Sequence, residues 1–232
     1  IEHNGSSPKA IHEKFLVSDD PWFRPVDLRL GPDGAIYLAD FYNCIIGHYE
    51  VPLTHPKRDR DSGRIWRIVW KGEDSKAPAP ERPYGDLAKE PIAKLTDLLG
   101  HANLTVRMQA MHELASRGDA VKGAMTAALK SESVTQLTHA MWVLERIGAL
   151  SDESLIVIMG DHRQTAEMAR IHAARLLAER KKLTAEQRNL LLDWAKTALP
   201  MLRRCALDAL GRHPDATTLL ALLEAGIPRN DT

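Results

Sequence analysis

A polar run between two β-rich segments holds the residue types that could do chemistry in this chain. Histidine titrates near neutral pH, so His48 and His55 could act as proton acceptors, as metal ligands or as partners of a carboxylate. Asp40 could orient such a base, and Arg58 could form paired hydrogen bonds to a carboxylate on a cofactor or substrate. The sequence therefore offers five candidate binding residues: Asp40, Asn43, His48, His55 and Arg58.

Each of these residues also has a simpler structural role open to it. An aspartate at the end of a strand, such as Asp40, commonly binds the backbone amides of the following loop. His48 and His55 lack the HxH or HxxxH spacing that fixes a metal site. The charges of residues 57–61 alternate in sign, which is typical of a solvated ion-pair cluster. No catalytic residue is predicted, and both kinds of role remain open.

Short β-strands are the elements that must position this polar run. Val26–Leu30 and Ala35–Asp40 flank Gly31-Pro-Asp-Gly34, which has the residue types of a hairpin turn. Arg64–Trp70 predicts a third strand, and Phe15–Val17 could supply a fourth. Four short antiparallel strands form one blade of a β-propeller, and propellers typically use about 4–8 blades. The pattern therefore indicates one blade of a larger assembly.

The composition changes along the chain and predicts two modules. Residues 76–85 are rich in Pro and charge, as expected of an extended linker. Aromatic residues concentrate before this linker, whereas Ala and Leu with helical spacing dominate after it. We therefore predict an α+β chain, with a terminal propeller blade over residues 1–75 and an α-helical HEAT-like solenoid over residues 86–232.

The helical module contains an internal repeat. Ala110, Ala140, Ala173 and Ala206 are spaced 30, 33 and 33 residues apart, and each has a Leu four positions later. In three of the four repeats an Arg stands three positions before the Ala, whereas the second repeat has Leu137 there. A small Ala allows a neighbouring helix to approach closely. The pattern predicts about nine helices stacked as antiparallel pairs.

Helix boundaries and the repeat histidines follow from local signals. Ser151 is a predicted N-cap, and Thr184 to Gln187 have capping-box spacing. Pro200 suits a first helical turn, and Gly148 and Gly211 suit helix ends. His112, His139 and His172 recur beside the repeat Ala positions, and we interpret them as packing or capping residues of the array.

The overall composition excludes several classes of function. Acidic and basic residues balance at 31 each, so nothing indicates a nucleic-acid surface. The apolar runs are too short to span a bilayer, and no signal sequence is visible. Cys44 and Cys205 show no CxxC or CxxCH spacing, so no metal site, haem attachment or disulfide framework is predicted within the chain.

Five motifs of the β-rich segment resemble the last propeller blade of a bacterial protein family. The family consists of membrane-bound dehydrogenases of Planctomycetes and Verrucomicrobia, which are similar to pyrroloquinoline-quinone-dependent sugar dehydrogenases of the glucose/sorbosone type. Its members commonly continue into HEAT-like repeats and a c-type cytochrome domain, and residues 86–226 resemble such repeats. The motifs are Asp20-Pro-Trp-Phe-Arg-Pro-Val-Asp27, residues 31–43, Ile45-Ile-Gly-His48, Arg58-Asp-Arg60 and Gly63-Arg-Ile-Trp-Arg67.

The resemblance implies a periplasmic or envelope-associated redox protein that oxidises a sugar or alcohol. Its parent protein would use pyrroloquinoline quinone, calcium and haem c, supplied by the remaining blades and a cytochrome c domain. The five candidate residues would then line the rim of the propeller channel. No catalytic residue carries over, because the family's base belongs to an earlier blade. Cys44 stands where the family pattern has Pro.

Two hypotheses from different classes follow. In the first, the chain is a fragment of a quinone-linked and haem-linked dehydrogenase, inactive by itself, with apolar side chains exposed at Val26–Leu30 and Ile65–Val69. In the second, it is a non-catalytic scaffold that recognises a protein or glycan, and the β segment buries its apolar face within the chain. The exposure of the two strands distinguishes the hypotheses.

Overall fold

The computed structural model describes residues 2–47, 50–161, 166–197, 199–215 and 218–220, without the side chains of residues 2 and 3. Antiparallel strands and eight α-helices make up the regular structure of these residues, which confirms the α+β class. No described helix is both long and apolar enough to cross a membrane. The strands are β1 (Glu2–Asn4), β2 (Ser7–Lys9), β3 (Pro25–Leu30), β4 (Ile36–Asp40) and β5 (Arg64–Ile68). The helices are α1 (Ile92–Leu98), α2 (Leu104–Ser116), α3 (Lys122–Ala128), α4 (Val134–Arg146), α5 (Asp152–Met159), α6 (Glu167–Glu179), α7 (Ala185–Ala195) and α8 (Pro200–Arg212), with short 3-10 helices at Leu87–Lys89 and Gly118–Val121.

The chain forms two compact units. The β unit comprises Glu13–Glu90 and Ala102–Val106. The helical unit comprises the described residues within Ile1–His12, Pro91–His101 and Arg107–Thr232. Along the sequence, the β unit is therefore inserted into the helical unit. The hairpin β1–β2 belongs to the helical unit, although the sequence places it beside the β-rich segment.

The β unit contains a three-stranded antiparallel sheet in the order β3-β4-β5. The predicted turn joins β3 to β4: the Gly31 N–H donates to Ala35 O at 2.7 Å, and Gly34 has φ +81°. Glycine adopts this left-handed conformation without steric cost, so the hairpin prediction is confirmed. The prediction of a fourth strand at Phe15–Val17 is wrong. These side chains are 46–74% exposed, and without buried neighbours nothing holds the segment as a strand.

The helical unit is a stack of antiparallel helix pairs in two layers. Helices α3 and α4, α5 and α6, and α7 and α8 pack as sequential pairs. Helices α4, α6 and α8 lie side by side in what we call the inner layer, and hydrogen bonds connect α2 to α4 at one end of it. Helices α1 and α3, and α5 and α7, contact each other in the second layer. The described residues therefore form a regular helical array.

The repeat positions lie at the centre of this array. The four repeat alanines are all fully buried, which fits a small residue where neighbouring helices approach closely. The leucines four residues later are at most 2% exposed and fill the adjoining space. The buried sets are Ala110, Ala140, Ala173 and Ala206, and Leu114, Leu144, Leu177 and Leu210.

The repeat arginines of α2 and α8 bind the loops that precede these helices. Arg107 donates from Nη1 to His101 O at 2.7 Å, and Arg203 donates from Nη1 to Thr197 O at 2.6 Å. In both repeats the accepting carbonyl lies six residues before the arginine. Arg203 is only 6% exposed, so its charge depends on such partners. Leu137 replaces the arginine in the second repeat and is buried there as an ordinary apolar residue.

Most of the predicted helix boundaries are confirmed. The Ser151 side chain caps α5, Thr184 forms a reciprocal capping box at α7, and Pro200 occupies the first turn of α8. Gly148 follows α4 with φ +69°. Gly211 lies at the end of α8, whose last residue is Arg212.

Two half-buried histidines connect neighbouring inner helices. Arg107 Nε donates to His139 Nε2 at 3.2 Å, and Trp142 Nε1 donates to His172 Nδ1 at 3.0 Å. Burial lowers the pKa of His139 to about 4, with help from the positive charge of Arg107 and from His172. Burial and the charge of Arg175 lower the pKa of His172 to about 4. Both imidazoles are therefore neutral hydrogen-bond acceptors at pH 7.

We predict that Arg203→Leu destabilises the chain by about 1–3 kcal/mol, because the carbonyl of the half-buried Thr197 loses its donor. Urea unfolding followed by circular dichroism measures the change. Arg175→Leu, which removes an exposed arginine from the same layer, is the matched control and should shift the midpoint much less. Equal shifts for the two variants would contradict a structural role for the buried guanidinium.

We also predict that acid weakens the array. The folded pKa values of His139 and His172, about 4, lie below the ordinary value of 6.5. The unfolded chain therefore binds more protons, and stability falls as the pH drops from 6.5 towards 4. Urea midpoints at pH 7 and pH 5 measure this loss. The double variant His139→Gln, His172→Gln should show a smaller loss, and an undiminished loss would contradict the assignment.

Candidate functional site

Asp40 lies at the centre of the β unit's polar cluster. Its side chain is only 3% exposed and ends the central strand β4. Oδ1 accepts the Arg24 N–H at 2.8 Å and the Tyr42 N–H at 2.9 Å, while Oδ2 accepts Trp66 Nε1–H at 3.1 Å. The carboxylate thus binds backbone amides on both sides of the sheet end, which is the simpler of the roles open to it.

The hydrogen bonds keep this buried carboxylate charged. Burial by itself raises the pKa of Asp40, but the donors from Arg24, Trp66 and Tyr42, together with the charge of Arg64, outweigh it. The net pKa lies below the usual value, so the group is anionic at neutral pH. A weakly basic carboxylate with three donors is suited to organising the loop rather than to accepting a proton.

The turn after β4 is held by aromatic contacts. Tyr42 has φ +46°, a left-handed conformation that is uncommon for a non-glycine residue. The guanidinium carbon of Arg64 lies 3.4 Å from the centroid of the Tyr42 ring, and the Trp22 ring lies 5.6 Å away. Arg64 also approaches Asp20 at 3.6 Å. Cation–π and ionic contacts therefore stabilise a strained turn beside Asp40.

Asn43 fastens the start of the long loop between β4 and β5 to its end. Its side chain is 2% exposed, and Nδ2 donates to Asp59 O at 2.7 Å. The Oδ1 atom accepts the Ile45 N–H at 3.2 Å. Both functional atoms of the amide are thereby used within the loop. The carboxylate of Asp59 in turn accepts the amides of Asp61 and Ser62 at 2.9 and 3.0 Å.

Arg58 is bound by backbone carbonyls of the same loop. Its Nε donates to Pro52 O at 3.1 Å, and Nη2 donates to Val51 O at 2.8 Å and to Gly47 O. These three contacts occupy Nε and Nη2, which would otherwise be available to donate to a carboxylate ligand. The guanidinium holds the loop in the described conformation.

Of the two candidate histidines, only His55 falls within the described residues. Its Nδ1 accepts the Lys57 N–H at 3.1 Å, so the neutral ring carries its proton on Nε2. His48 lies outside the described residues. The Arg58 N–H donates to His55 O at 3.0 Å, but no side-chain hydrogen bond or ion pair given for the described residues joins Asp40, Asn43, His55 and Arg58 to one another. Their role at a channel rim stays a prediction.

The described residues contain no group of three or more His, Cys, Asp or Glu side chains arranged to hold a metal ion. Cys44 is half-buried and Cys205 is buried, and both are free thiols. The polar atoms of the predicted site are engaged mainly with the backbone of their own loop. The cluster is therefore a structural platform, with its side chains used to fix a long irregular connection.

The β unit contains a second polar cluster, which the sequence patterns did not predict. Asp33 Oδ2 accepts Arg67 Nη2–H at 2.7 Å and Tyr37 Oη–H at 3.1 Å. These three side chains line an open pocket of about 630 Å³ together with Glu81 and Tyr84. Tyr37 and Arg67 lie opposite each other in the sheet, so the pairing of the two strands could have revealed their proximity.

Comparison with known proteins gives one match. Residues 2–72 match a family described as a domain of unknown function (DUF7133). No curated protein and no solved structure matches the chain. The matched segment contains all five strands and the loop that carries the candidate residues, and it ends before the helices begin. The family description names no activity, so the function has to be argued from the geometry.

We predict that Asp40→Asn destabilises the β unit by about 1.5–3 kcal/mol, the usual contribution of hydrogen bonds to a charged group. The amide nitrogen of Asn would face a backbone or indole donor and leave it without an acceptor. Urea unfolding followed by tryptophan fluorescence reports the loss, because Trp66 is one of the donors. Asp27→Asn, which changes an exposed aspartate in β3, is the matched control and should have little effect.

Proposed function

We propose that the β unit is one blade of a β-propeller in a larger redox protein, and that the helical unit serves as a scaffold or interaction surface. The larger protein would be of the quinone-dependent sugar or alcohol dehydrogenase type that the sequence resembles. In this proposal the 232-residue chain contributes structure and no catalytic residue of its own. The proposal rests chiefly on one observation, the exposure of apolar side chains on both faces of the sheet.

The strand register defines the two faces. Leu28 pairs with Leu38 and Leu38 with Trp66, so these three side chains share one face. Leu28 is 55% exposed and Trp66 is 44% exposed, although Leu38 itself is buried. Ile65 precedes Trp66 in β5, so it points to the opposite face, where it is 71% exposed. One face therefore presents a row of apolar side chains, and the other, which carries Arg29, Tyr37 and Arg67, also exposes Ile65.

Such exposure is unusual for a sheet that functions alone. All six residues of β3 are exposed, including Val26 at 66% and Leu30 at 43%. A free-standing antiparallel sheet normally covers one face with its own core and leaves the other face polar. Propeller blades instead bury both faces, because each sheet is packed between two neighbouring sheets. The exposure of Val26–Leu30 and of Ile65 supports the first of our two hypotheses.

Hydrogen bonds from Asn103 and Thr105 cap one end of the edge strand β3. Thr105 Oγ1 donates to Leu30 O at 2.6 Å, and Asn103 Nδ2 donates to Gly31 O at 2.8 Å. Both donors lie within the β unit and cap carbonyls at the end of β3. These two carbonyls are therefore unavailable to an added strand at this end of β3. Face-to-face packing remains available to the exposed apolar side chains.

The proposal places the redox groups in other parts of the parent protein. Asp40 already accepts three hydrogen bonds, and the Arg58 guanidinium is held by three carbonyls, so neither fits a role as a free ligand. We therefore assign pyrroloquinoline quinone, calcium and haem c to the remaining blades and a cytochrome c domain. A periplasmic or envelope location forms part of the same proposal.

A non-catalytic scaffold that recognises a protein or glycan is the second candidate function. The inner layer of the helical unit supports it, because side chains on neighbouring helices cross-link the layer into one surface. Arg107 bonds to His139, Trp142 bonds to His172, and Arg180 bonds to Glu145 at 2.6 Å. A rigid helical array of this kind is typically used for binding or spacing.

The native protein distinguishes the two functions. Purification from its source through an antibody against the chain, followed by intact mass and visible absorption, tests the redox proposal directly. We expect a mass well above 25.9 kDa and a haem Soret band. A colourless species near 25.9 kDa would overturn the dehydrogenase proposal and favour the scaffold.

We predict that the isolated 232-residue chain self-associates through its sheet and that Leu28→Ser, Ile65→Ser weakens this association at least about tenfold. Each substitution removes an exposed apolar side chain from one face. Light scattering after size-exclusion chromatography over a concentration series measures the effect. Val157→Ser, which changes a residue 74% exposed in α5, is the matched control. A monomeric wild-type chain at all concentrations would contradict the prediction.

A further inference from the structure

The hairpin β1–β2 docks onto the helical unit from a distant part of the sequence. Strands β1 and β2 are joined by a two-residue turn in which Gly5 has φ +61°. The following residue, Ser6, offers its carbonyl oxygen to Arg204 Nη1 in α8 at 3.1 Å, across 198 positions of the sequence. The hairpin residues group with the helical unit and not with the β unit that follows them. An extended segment therefore occupies one end of the inner layer.

The docked hairpin covers the helices without filling the space beside them. All three residues of β2 are exposed, and a two-stranded hairpin is at best marginally stable by itself in water. A pocket of about 410 Å³ remains between the hairpin and the helices. The helices supply Arg175, Arg204, Cys205 and Asp208 to its lining. The hairpin is thus a poorly packed cover, and the hydrogen bond described at its turn is the one from the Arg204 guanidinium to a neutral backbone carbonyl.

The charges around the pocket favour an anionic occupant over the hairpin. Arg204 and Arg175 are both exposed and both line the pocket. Among the described residues that line the pocket, Asp208 is the single carboxylate, and it is paired with Arg212 at 3.3 Å. A carboxylate offers an arginine an opposite charge and two acceptor oxygens for paired hydrogen bonds, whereas a backbone carbonyl is neutral and offers one oxygen. An extended segment with acidic side chains would therefore satisfy the two arginines better than the Ser6 carbonyl does.

We propose that the hairpin β1–β2 is a displaceable internal ligand that covers a docking site for an extended acidic peptide on α6 and α8. The inference rests on the interaction role proposed above for the helical unit and specifies its partner. The main-chain carbonyl of the hairpin imitates the acceptor groups of the partner. When an acidic segment binds, the hairpin leaves the pocket and both arginines pair with carboxylates.

Cys205 provides a reporter for the cover, because its thiol lines the pocket and is only 9% exposed. In a Cys44→Ser background, the reaction rate of the remaining thiol with an aromatic disulfide reagent measures how often the site opens. Gly5→Val forces a β-branched residue into a left-handed turn and weakens the hairpin without altering the helices. We expect labelling about fivefold faster, the factor that one net hydrogen bond supports.

Gly72→Val is the matched control, because Gly72 also has a positive φ, +77°, in a turn of the β unit. This variant should leave the labelling rate of Cys205 unchanged. An unchanged labelling rate of Cys205 in Gly5→Val, with the helical circular dichroism intact, would overturn the proposal that the hairpin covers the site. Equal acceleration in both variants would also overturn it, because the effect would then come from general destabilisation.

A second experiment uses peptides to test whether the partner is acidic. Hexaglutamate and hexalysine are titrated against the wild-type chain and against Gly5→Val, with binding followed by calorimetry. We expect hexaglutamate to bind Gly5→Val about fivefold more tightly than the wild-type chain. The pair Arg175→Gln, Arg204→Gln should abolish this binding, and hexalysine should not bind.

Three outcomes would overturn the acidic partner: equal hexaglutamate affinity for both chains, binding that survives loss of the two arginines, or binding of hexalysine. Dimerisation of Gly5→Val through the opened site would instead assign a second copy as the occupant and would also overturn the proposal. None of these readouts depends on haem or quinone. Failure of the docking site is therefore distinguishable from failure of the redox assignment, which the mass and absorption of the native protein decide.

Discussion

The carboxylate of Asp40 is the constraint on which the β unit depends. It joins the end of the central strand to the segment before β3 through Arg24, to the following turn through Tyr42 and to the indole of Trp66 in β5. A buried charge without such partners is very costly, so the donors have to assemble together. The start of the long loop, the strained Tyr42 turn and the sheet end are therefore fixed as one structure. The same contacts lower the pKa of Asp40, so this carboxylate is poorly suited to accept a proton in catalysis.

Features that depend on nearby residues could be predicted from the sequence. The turn at Gly31–Gly34 needs only local glycine and proline geometry, and it forms as expected. The capping residues Ser151 and Thr184 act within three positions of themselves. The repeat alanines were recognisable because a periodic pattern repeats the same packing requirement in each helix pair, and every one of them is fully buried.

Features that depend on distant partners could not be predicted in this way. The roles of Arg58 and Asn43 follow from the path of an irregular loop, which residue type alone does not specify. Phe15–Val17 has β-forming residues but finds no neighbour to pair with. The hairpin β1–β2 groups with helices whose sequence lies far downstream, and no short motif signals that association. For the candidate site, the sequence therefore identifies the loop. The hydrogen-bond partners of its side chains are seen only in the three-dimensional structure.

The docking of Ser6 onto Arg204 has a consequence for the order of events during synthesis. The ribosome completes Ser6 198 residues before Arg204, so the hairpin has no helical surface to meet until nearly the whole of both units has emerged. Contacts of such long range form late and slowly, because closing the long intervening loop costs conformational entropy before the contact is made. The hairpin residues leave the ribosome well before α8, and they are thus among the last of the two units to reach their native neighbours.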